Sequence, residues 1–339
     1  MKKNKTTIHD ISNSLGINSS TVSRALNDSP LISQKTKDKI LARAKKLGYQ
    51  RNFLASKLRN NRSRTIGVIV PRISRYFFSA VIAGIEETAF NAGYDVIICQ
   101  SLESFEREKK LVETLSSNQV DGILVSISWE TKTADHFKNY QQHDHPVIFF
   151  DRPFNTTKNT HVIIDDFKAG FDATEHLINN GCKDIVHFTG PQNLELYQRR
   201  MAGYKAALEK HQIQIRESYI FESYLMESDG KECAKKIMKL PKVDAVFSAN
   251  DTSSIAAMQY LKSKNVKIPD DIAFVGFSNE PASSVIEPAL TTISQADFEM
   301  GKTATSLLLE QIKFPKKIHQ NQTTVLSPQL IIRESSQKI

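Results

Sequence analysis

Cysteine is scarce in this chain. Cys99, Cys182 and Cys233 are too few for a disulfide framework and too widely spaced for a C-x-x-C pair. That excludes a disulfide-stapled scaffold and a cysteine zinc site, and it points to a reducing compartment. Glycine is thin as well. No two of the 13 glycines lie closer than nine residues, so G-x-G-x-x-G, the P-loop and the G-x-S-x-G elbow are all missing. No apolar run approaches the ~18 residues of a membrane helix. The basic opening MKKNKTTIHDISNSL leads into no apolar signal segment, so a cytoplasmic protein is expected. H-E-x-x-H is absent, and His143 and His145 in the polar stretch QQHDHP read as a loop rather than a metal site. No metal, cofactor or catalytic constellation is expected, which leaves an enzyme reading without a motif.

What is present is an ordinary globular composition over 339 residues, 40% hydrophobic and 24% charged. At roughly 100–200 residues per domain, that length predicts two or three domains. The charge is unevenly spread. Residues 1–64 hold fifteen Lys or Arg against only Asp10, Asp28 and Asp38, whereas the remaining 275 residues carry 30 basic and 34 acidic side chains. The asymmetry suggests a nucleic-acid-binding head on a neutral body. A solvated basic tail is the alternative, but apolar residues recur at helical spacing throughout the head, so it is expected to fold.

Thr7 and Asp10 stand in capping-box spacing, and Ile8, Ile11 and Leu15 then follow at i, i+3 and i+7. Gly16 breaks this first helix, Ile17 is apolar within the turn, and Asn18 is a good N-cap for a second helix with Val22, Ala25 and Leu26 on one face. Two helices joined by so tight a turn make a helix-turn-helix. In that motif the second helix enters the major groove N-terminus first, which presents Ser19, Ser20 and Arg24 to base edges. Arg donates two bonds to guanine, while Ser donates or accepts. A third helix has Ser33 as cap, Ile40, Leu41, Ala44 and Leu47 on its inner face, and Gly48 at its end.

Residues TTIHDISNSLGINSSTVSRALNDSPLISQKTKDKILARAKKLGYQRN resemble the DNA-binding head of the lactose-repressor (LacI) family of bacterial transcription regulators, the S-T-V-S-R-A-L-N stretch at 20–27 being especially specific. Thr21 and Asn27 in that stretch join Thr7, Asn18, Ser19, Ser20, Arg24 and Ser33 as candidate DNA contacts. Asn52 then caps a short helix through residues 53–58, followed by the charged linker RNNRSR. A helix that short is marginal alone. The resemblance implies a hinge helix that folds with its twin against the minor groove, with Leu58 wedged between base steps. A linker whose Leu58 packs on the body is the alternative. Where the family usually has Pro before this Asn, the chain has Arg51.

From Ile66 onward, short apolar runs alternate with amphipathic stretches: IGVIV (66–70), YDVIIC (94–99), GILVS (122–126) and VIFF (147–150), with helices near 77–92 and 104–118. The pattern restarts at VIIDD (162–166) and continues through DIVHFTG (184–190), VDAVFSAN (243–250) and IAFVGF (272–277). Two parallel sheets of comparable size are expected. Open α/β sheets bind ligands beyond the carboxyl ends of their strands, so two facing lobes would hold a small molecule between them. Asp151, Asn250, Asp251 and Ser278 all fall just after such strands. The resemblance extends to the family's two-lobed, periplasmic-binding-protein-like (type I) sensor. It implies effector contacts at Arg200, which opens R-M-A-G-Y, and at Asp151 and Asn250. Each has a second reading: Asp151 paired with Arg152, Asn250 and Asp251 as helix caps, Arg200 as a surface charge. Ser278 departs from the Asp of many relatives, and Phe77 with Phe78 are core aromatics or a stacking platform at the first-loop position.

The expected architecture is an all-α helix-turn-helix head (1–51), a hinge and linker (52–64) and an α/β two-lobed parallel-sheet body (65–339) that binds an effector and dimerises. The expected function is a homodimeric transcription regulator, repressing by default, that binds a palindromic operator in double-stranded DNA and senses a sugar or sugar phosphate. The rival, a binding protein of a transport system, shares the body but needs an export signal and no basic helix-turn-helix.

Overall fold

The computed structural model describes residues 6–49, 62–142, 145–153, 159–315 and 322–337. The chain divides into two compact units, Met1–Arg62 and Ser63–Ile339. The expected hinge, with Asn52 and Leu58, lies outside the described residues.

The head contains α1 (Ile8–Leu15), α2 (Ser19–Leu26) and α3 (Gln34–Lys46). The capping box forms as expected: Asp10 N donates to Thr7 Oγ1 at 3.3 Å and Thr7 N donates to the Asp10 carboxylate at 2.7 Å. Gly16 closes α1 at φ 64°, a left-handed conformation costing an ordinary L-residue roughly 1–2 kcal/mol. Ile11, Val22, Ala25, Ile40 and Ala44 form the core, with Ile8, Leu15, Ile17, Leu26 and Leu47 packed around it. Leu41 is not on the inner face; it is 50% exposed. The inward stripe runs 37, 40, 44 and 47 at helical spacing. Lys37 takes the remaining position, its stem buried and its ammonium 2.6 Å from the Asp28 carboxylate. Asn18 and Ser33 occupy the N-cap positions of α2 and α3 without side-chain capping bonds. The Ser33 hydroxyl pairs instead with that of Thr36.

The body runs β1 (Thr65–Val70), α4 (Tyr76–Asn91), β2 (Asp95–Gln100), α5 (Phe105–Ser117), β3 (Gly122–Val125), α6 (Asp135–Gln141), β4 (Val147–Phe150) and β5 (Thr160–Ile164) in the first lobe. The second lobe carries α7 (Asp166–Asn179), β6 (Ile185–Thr189), α8 (Glu195–Lys210), β7 (Ile220–Glu222), α9 (Glu227–Ile237), β8 (Ala245–Ser248), α10 (Asp251–Lys262), β9 (Ala273–Phe277), α11 (Pro281–Val285) and β10 (Thr291–Ser294). The chain then returns with α12 (Asp297–Lys313) and β11 (Thr323–Leu326) to the first lobe and ends with β12 (Gln329–Ile331) in the second. The sheets are ordered β11-β5-β4-β3-β1-β2 and β12-β10-β9-β8-β6-β7.

Two expectations need correction. The strand at 160–164 does not begin the second lobe: it pairs in parallel with β4 and β11 and completes the first sheet. The second sheet is not wholly parallel, because β12 pairs antiparallel to β10. The body also takes in Ser63 and Arg64, placed by sequence in the linker, since both backbone amides donate to the Asp121 carboxylate at 2.7 and 3.0 Å.

Between 164 and 166, 294 and 297, and 326 and 329, the chain passes from one sheet's lobe to the other. Helices α7 and α8 cross backbone to backbone. A Cβ on Gly170 would strike the Arg200 carbonyl oxygen, and one on Gly203 that of Phe167. This close crossing brings Asp166 and Arg200 together at the cleft.

Candidate functional site

On the head, Asn18, Ser20, Arg24 and Asn27 are exposed and Thr21 is half-buried along the second helix of the motif. Ser19 is held by the head itself, its hydroxyl 3.0 Å from Ser12 Oγ and 3.1 Å from His9 Nδ1. It therefore locks α2 against α1 as well as standing at the helix start. Asn27 donates to the Ser23 carbonyl and Thr7 serves the capping box, so these two are anchors of the fold first.

In the body, a cleft enclosing about 720 Å³ of space, part of it open to solvent, lies between the two lobes. All five sequence-predicted effector residues, Phe77, Asp151, Arg200, Asn250 and Ser278, line it. Arg200 is buried rather than a surface charge. Its Nε donates to Asp166 Oδ1 at 2.8 Å, Nη1 to the Ala249 carbonyl at 3.1 Å and Nη2 to Gln295 Oε1 at 3.2 Å, while Cζ lies 3.6 Å from the Phe277 ring centre. These bonds engage three of its five N–H donors. Gln295 passes the chain on, donating to Ser278 Oγ at 2.8 Å. Burial pushes the Asp166 carboxyl up to about 6, against the pull of Arg200.

Asp151 accepts from Ser126 Oγ at 3.2 Å and lies 3.8 Å from Arg152 Nε. Burial raises its carboxyl too, with Arg152 and Arg200 opposing. Arg152 is the partner of Glu103 instead, through bonds of 2.8 and 3.1 Å. Asp151 at φ 62° and Ser278 at φ 107° both sit in left-handed conformations at strand ends, the kind of strain that collects at binding sites at about 1–3 kcal/mol each.

The capping alternative holds for Asn250: Oδ1 accepts from Ser253 N at 2.9 Å and Nδ2 donates to the Leu225 carbonyl at 2.9 Å. Its side chain forms the wall of the cleft with its polar atoms already engaged. Asp251 is outside the cleft lining, buried between Thr292 and Glu280 N. Phe77 and Phe78 are buried core aromatics, packed edge to face at 5.1 Å, that also line the cleft.

The sequence reading missed Arg72, Arg75, Trp129 and Tyr224, all part of the lining. Arg72 and Arg75 follow β1 and Trp129 follows β3, so the strand-end rule that found Asp151 reaches them as well. Tyr224 follows β7, a three-residue edge strand announced only by the short apolar run 219–221. Several contacts cross the cleft. Arg75 donates to Thr252 Oγ1 at 3.0 Å and to the Leu225 carbonyl at 3.2 Å, Trp129 stacks on Tyr224 at 4.6 Å, and Asn193 donates to the Trp129 carbonyl. Among the described residues no cluster of three or more His, Cys, Asp or Glu is arranged to hold a metal, and no helix is long and apolar enough to cross a membrane.

Residues 63–334 match the family described as periplasmic binding proteins and sugar binding domain of LacI family, and residues 7–52 match bacterial regulatory proteins, lacI family. The HTH-type transcriptional repressor PurR of Histophilus somni (strain 2336) is 32% identical over 334 residues, covering 97% of this chain and 98% of that protein. The ribose operon repressor of Halalkalibacterium halodurans is 29% identical over 333 residues, covering 98% and 97%. Among solved structures, the lac repressor dimer bound to operator and the anti-inducer ONPF superposes with TM-score 0.88 at 24% identity, over 98% of this chain and 99% of that one. A LacI family transcriptional regulator from Enterococcus faecium with bound ribose gives TM-score 0.71 at 29% identity, over 80% of this chain and 98% of that one.

Proposed function

Because the chain belongs to the LacI family of bacterial regulatory proteins, and is thus a DNA-binding transcriptional regulator with an effector-binding body, we propose how its own residues divide that work. Ser20 and Arg24 on α2 read base edges in the major groove, and the surrounding lysines and arginines neutralise phosphates. Two copies bind a pseudo-palindromic operator, each reading one half-site. The effector, a sugar or sugar derivative, enters the interlobe cleft and is held by the free N–H groups of Arg200, by Asp151 and by Ser278. The observation that carries this reading is the Asp166–Arg200–Gln295–Ser278 chain, a buried polar network that orients a guanidinium into a cleft with donors still available. We assign no catalytic step: the cleft arginines Arg152 and Arg200 are engaged by Glu103 and Asp166. Residues 52–58 are proposed, from the sequence, to relay the effector's state to the head.

The test has two arms. Selection of binding sites from random duplex DNA by the full chain is expected to return a two-fold symmetric sequence. Calorimetry against pentoses, hexoses, their derivatives and free nucleobases, these last because aromatic rings line the cleft, is expected to find a ligand whose binding Asp151→Asn weakens. An asymmetric site, or a ligand indifferent to that substitution, overturns the corresponding half.

A further inference from the structure

Four arginines line the cleft, and three of them are accounted for by the protein. Arg152 is paired with Glu103 and Arg200 with Asp166. Arg75 donates to Thr252, the Leu225 carbonyl and Met226 Sδ across the cleft. Arg72 has none of this. Its Nε is buried without a hydrogen-bond partner, and among the described residues no carboxylate oxygen lies within 4.0 Å of it. Its guanidinium rests over the Trp129 ring at 5.9 Å, and the same ring stacks on Tyr224 from the other lobe. The loop that carries it is fixed, with Ile73 N donating to Gln100 Oε1 at 2.9 Å.

A buried donor left without an acceptor is costly, and native proteins complete nearly all of them with protein, water or ligand. Nε of Arg152 also lacks a hydrogen-bond partner but lies 3.8 Å from the Asp151 carboxylate, whereas among the described residues no carboxylate comes that near Arg72. The Nε edge of a guanidinium is a two-donor fork that matches two oxygens of one carboxylate or phosphate. The nearby acids offer Arg72 no such match. Both Glu103 oxygens accept from Arg152, and Glu103 Oε2 also accepts from Trp129 N. The Glu280 oxygens face the Thr252 hydroxyl at 3.1 and 3.2 Å, and Asp151 faces Ser126 and Arg152. Burial raises the Glu280 and Asp151 carboxyls, with Arg75 opposing at the first and Arg152 and Arg200 at the second. Ser278 brings none.

From the unpartnered guanidinium of Arg72 over Trp129 we infer that the effector is anionic, a sugar carrying a carboxylate or a phosphate ester whose two oxygens take the Arg72 fork. The inference rests on the cleft being the effector site. It makes Arg72 a specificity-determining residue, and Trp129 the platform that holds it.

The test is calorimetry of the full chain against matched pairs at low and high salt: D-glucuronate and glucose 6-phosphate against D-glucose, D-galacturonate against D-galactose, and ribose 5-phosphate against ribose. At least one charged member is expected to bind tenfold or more tighter than its neutral parent, with the advantage shrinking as salt rises. Whether the acids or the phosphates lead identifies the group. Arg72→Gln is expected to cut the charged-to-neutral preference ten- to a hundredfold, and Arg72→Lys to restore part of it. The Arg72 side chain makes no hydrogen bond within the protein, so both variants should fold, and a thermal melt checks this. Equal binding of charged and neutral partners, an unchanged preference in Arg72→Gln, or no charged member binding at millimolar concentration overturns the inference. If a neutral sugar binds and Asp151→Asn weakens it, the cleft reading stands while the anionic one falls. If a ligand binds and ignores both substitutions, the cleft reading itself fails.

Discussion

Arg24 and His187 are the two single residues with the sharpest predicted consequences. Arg24 is exposed on α2, one turn in from the helix start, with Ser20 beside it on the approach to the groove. Arg24→Ala is expected to weaken operator binding by ~1–3 kcal/mol and relax preference at one base pair per half-site. Fluorescence anisotropy on the selected operator and on random duplex checks this, since an equal loss on both would make Arg24 a phosphate contact only. His187 is buried between Tyr204 and Phe247, with ring centres at 5.1 and 4.6 Å. Its Nδ1 lies 3.0 Å from the Phe247 carbonyl and must therefore carry the proton, which leaves buried Nε2 bare and unpartnered. Burial lowers this imidazole to about 4, its bond to Phe247 opposing and Arg200 adding to the fall. The unfolded chain then binds the extra proton between about pH 6.5 and pH 4, so stability is complete above that window and drains away as pH falls through it. Denaturant melts at pH 7 and 4.5 are expected to show the native protein losing up to about 3 kcal/mol more than His187→Phe. The difference between the two proteins isolates this residue from Asp166 and Asp251. Those carboxyls, raised to about 6 and about 7, shift stability the opposite way as pH rises.

At the scale of elements, the crossing of α7 and α8 sets the site. Gly170 and Gly203 let the two backbones approach until Asp166, at the start of one helix, meets Arg200 in the other. The first lobe repeats the device, where Gly84 meets the Phe298 carbonyl and Gly301 that of Val81, so α4 and α12 cross in the same manner. Gly203→Ala must push α8 off α7. It is expected to destabilise the body by about 1–3 kcal/mol and to weaken effector binding, because Arg200 lies within one turn of the new methyl group. Urea melts and calorimetry on the same preparation test both effects. Intact stability and affinity would mean that the helices slide apart without disturbing the ion pair.

For the whole molecule, the proposed function turns on what closes the cleft and on what would carry that closure to DNA. Arg75 reaches from the first lobe to Thr252, Leu225 and Met226 in the second. At roughly 0.5–1.5 kcal/mol for each bond to the far lobe, its removal should weaken the closed state by at least about tenfold. Arg75→Ala is accordingly expected to raise the effector's dissociation rate in stopped-flow experiments by about that factor. An unchanged rate would place the closure on the Trp129–Tyr224 stack instead. Leu58→Gly is expected to lower operator affinity and blunt the effector's influence on it while leaving effector affinity in free protein intact, as anisotropy and calorimetry together would show.

The division into a basic head and a near-neutral body, the helix-turn-helix with its capping box, most of the central strands and the residues at their carboxyl ends are all legible in the order of amino acids. Those features are written in local patterns: charge by segment, apolar spacing at 3.6 or in short buried runs, and glycine at a turn. Local pattern fails where the deciding contact is remote in the chain. Apolar identity puts Leu41 on the inner face of α3, whereas packing gives that place to the stem of Lys37. The strand at 160–164 reads in sequence as a restart of the pattern, because a parallel partner as distant as β11 leaves no local mark. Short edge strands such as β7 and β12 carry apolar runs of only three residues, 219–221 and 330–332. Folding is what makes Arg200 a buried, oriented donor and not a surface charge, engages the polar atoms of Asn250 in a cap, and leaves Arg72 in the cleft without a hydrogen-bond acceptor. Burial and pairing are properties of neighbours brought together by the fold, and the neighbours of Arg200, at Asp166 and Gln295, lie 34 and 95 residues away.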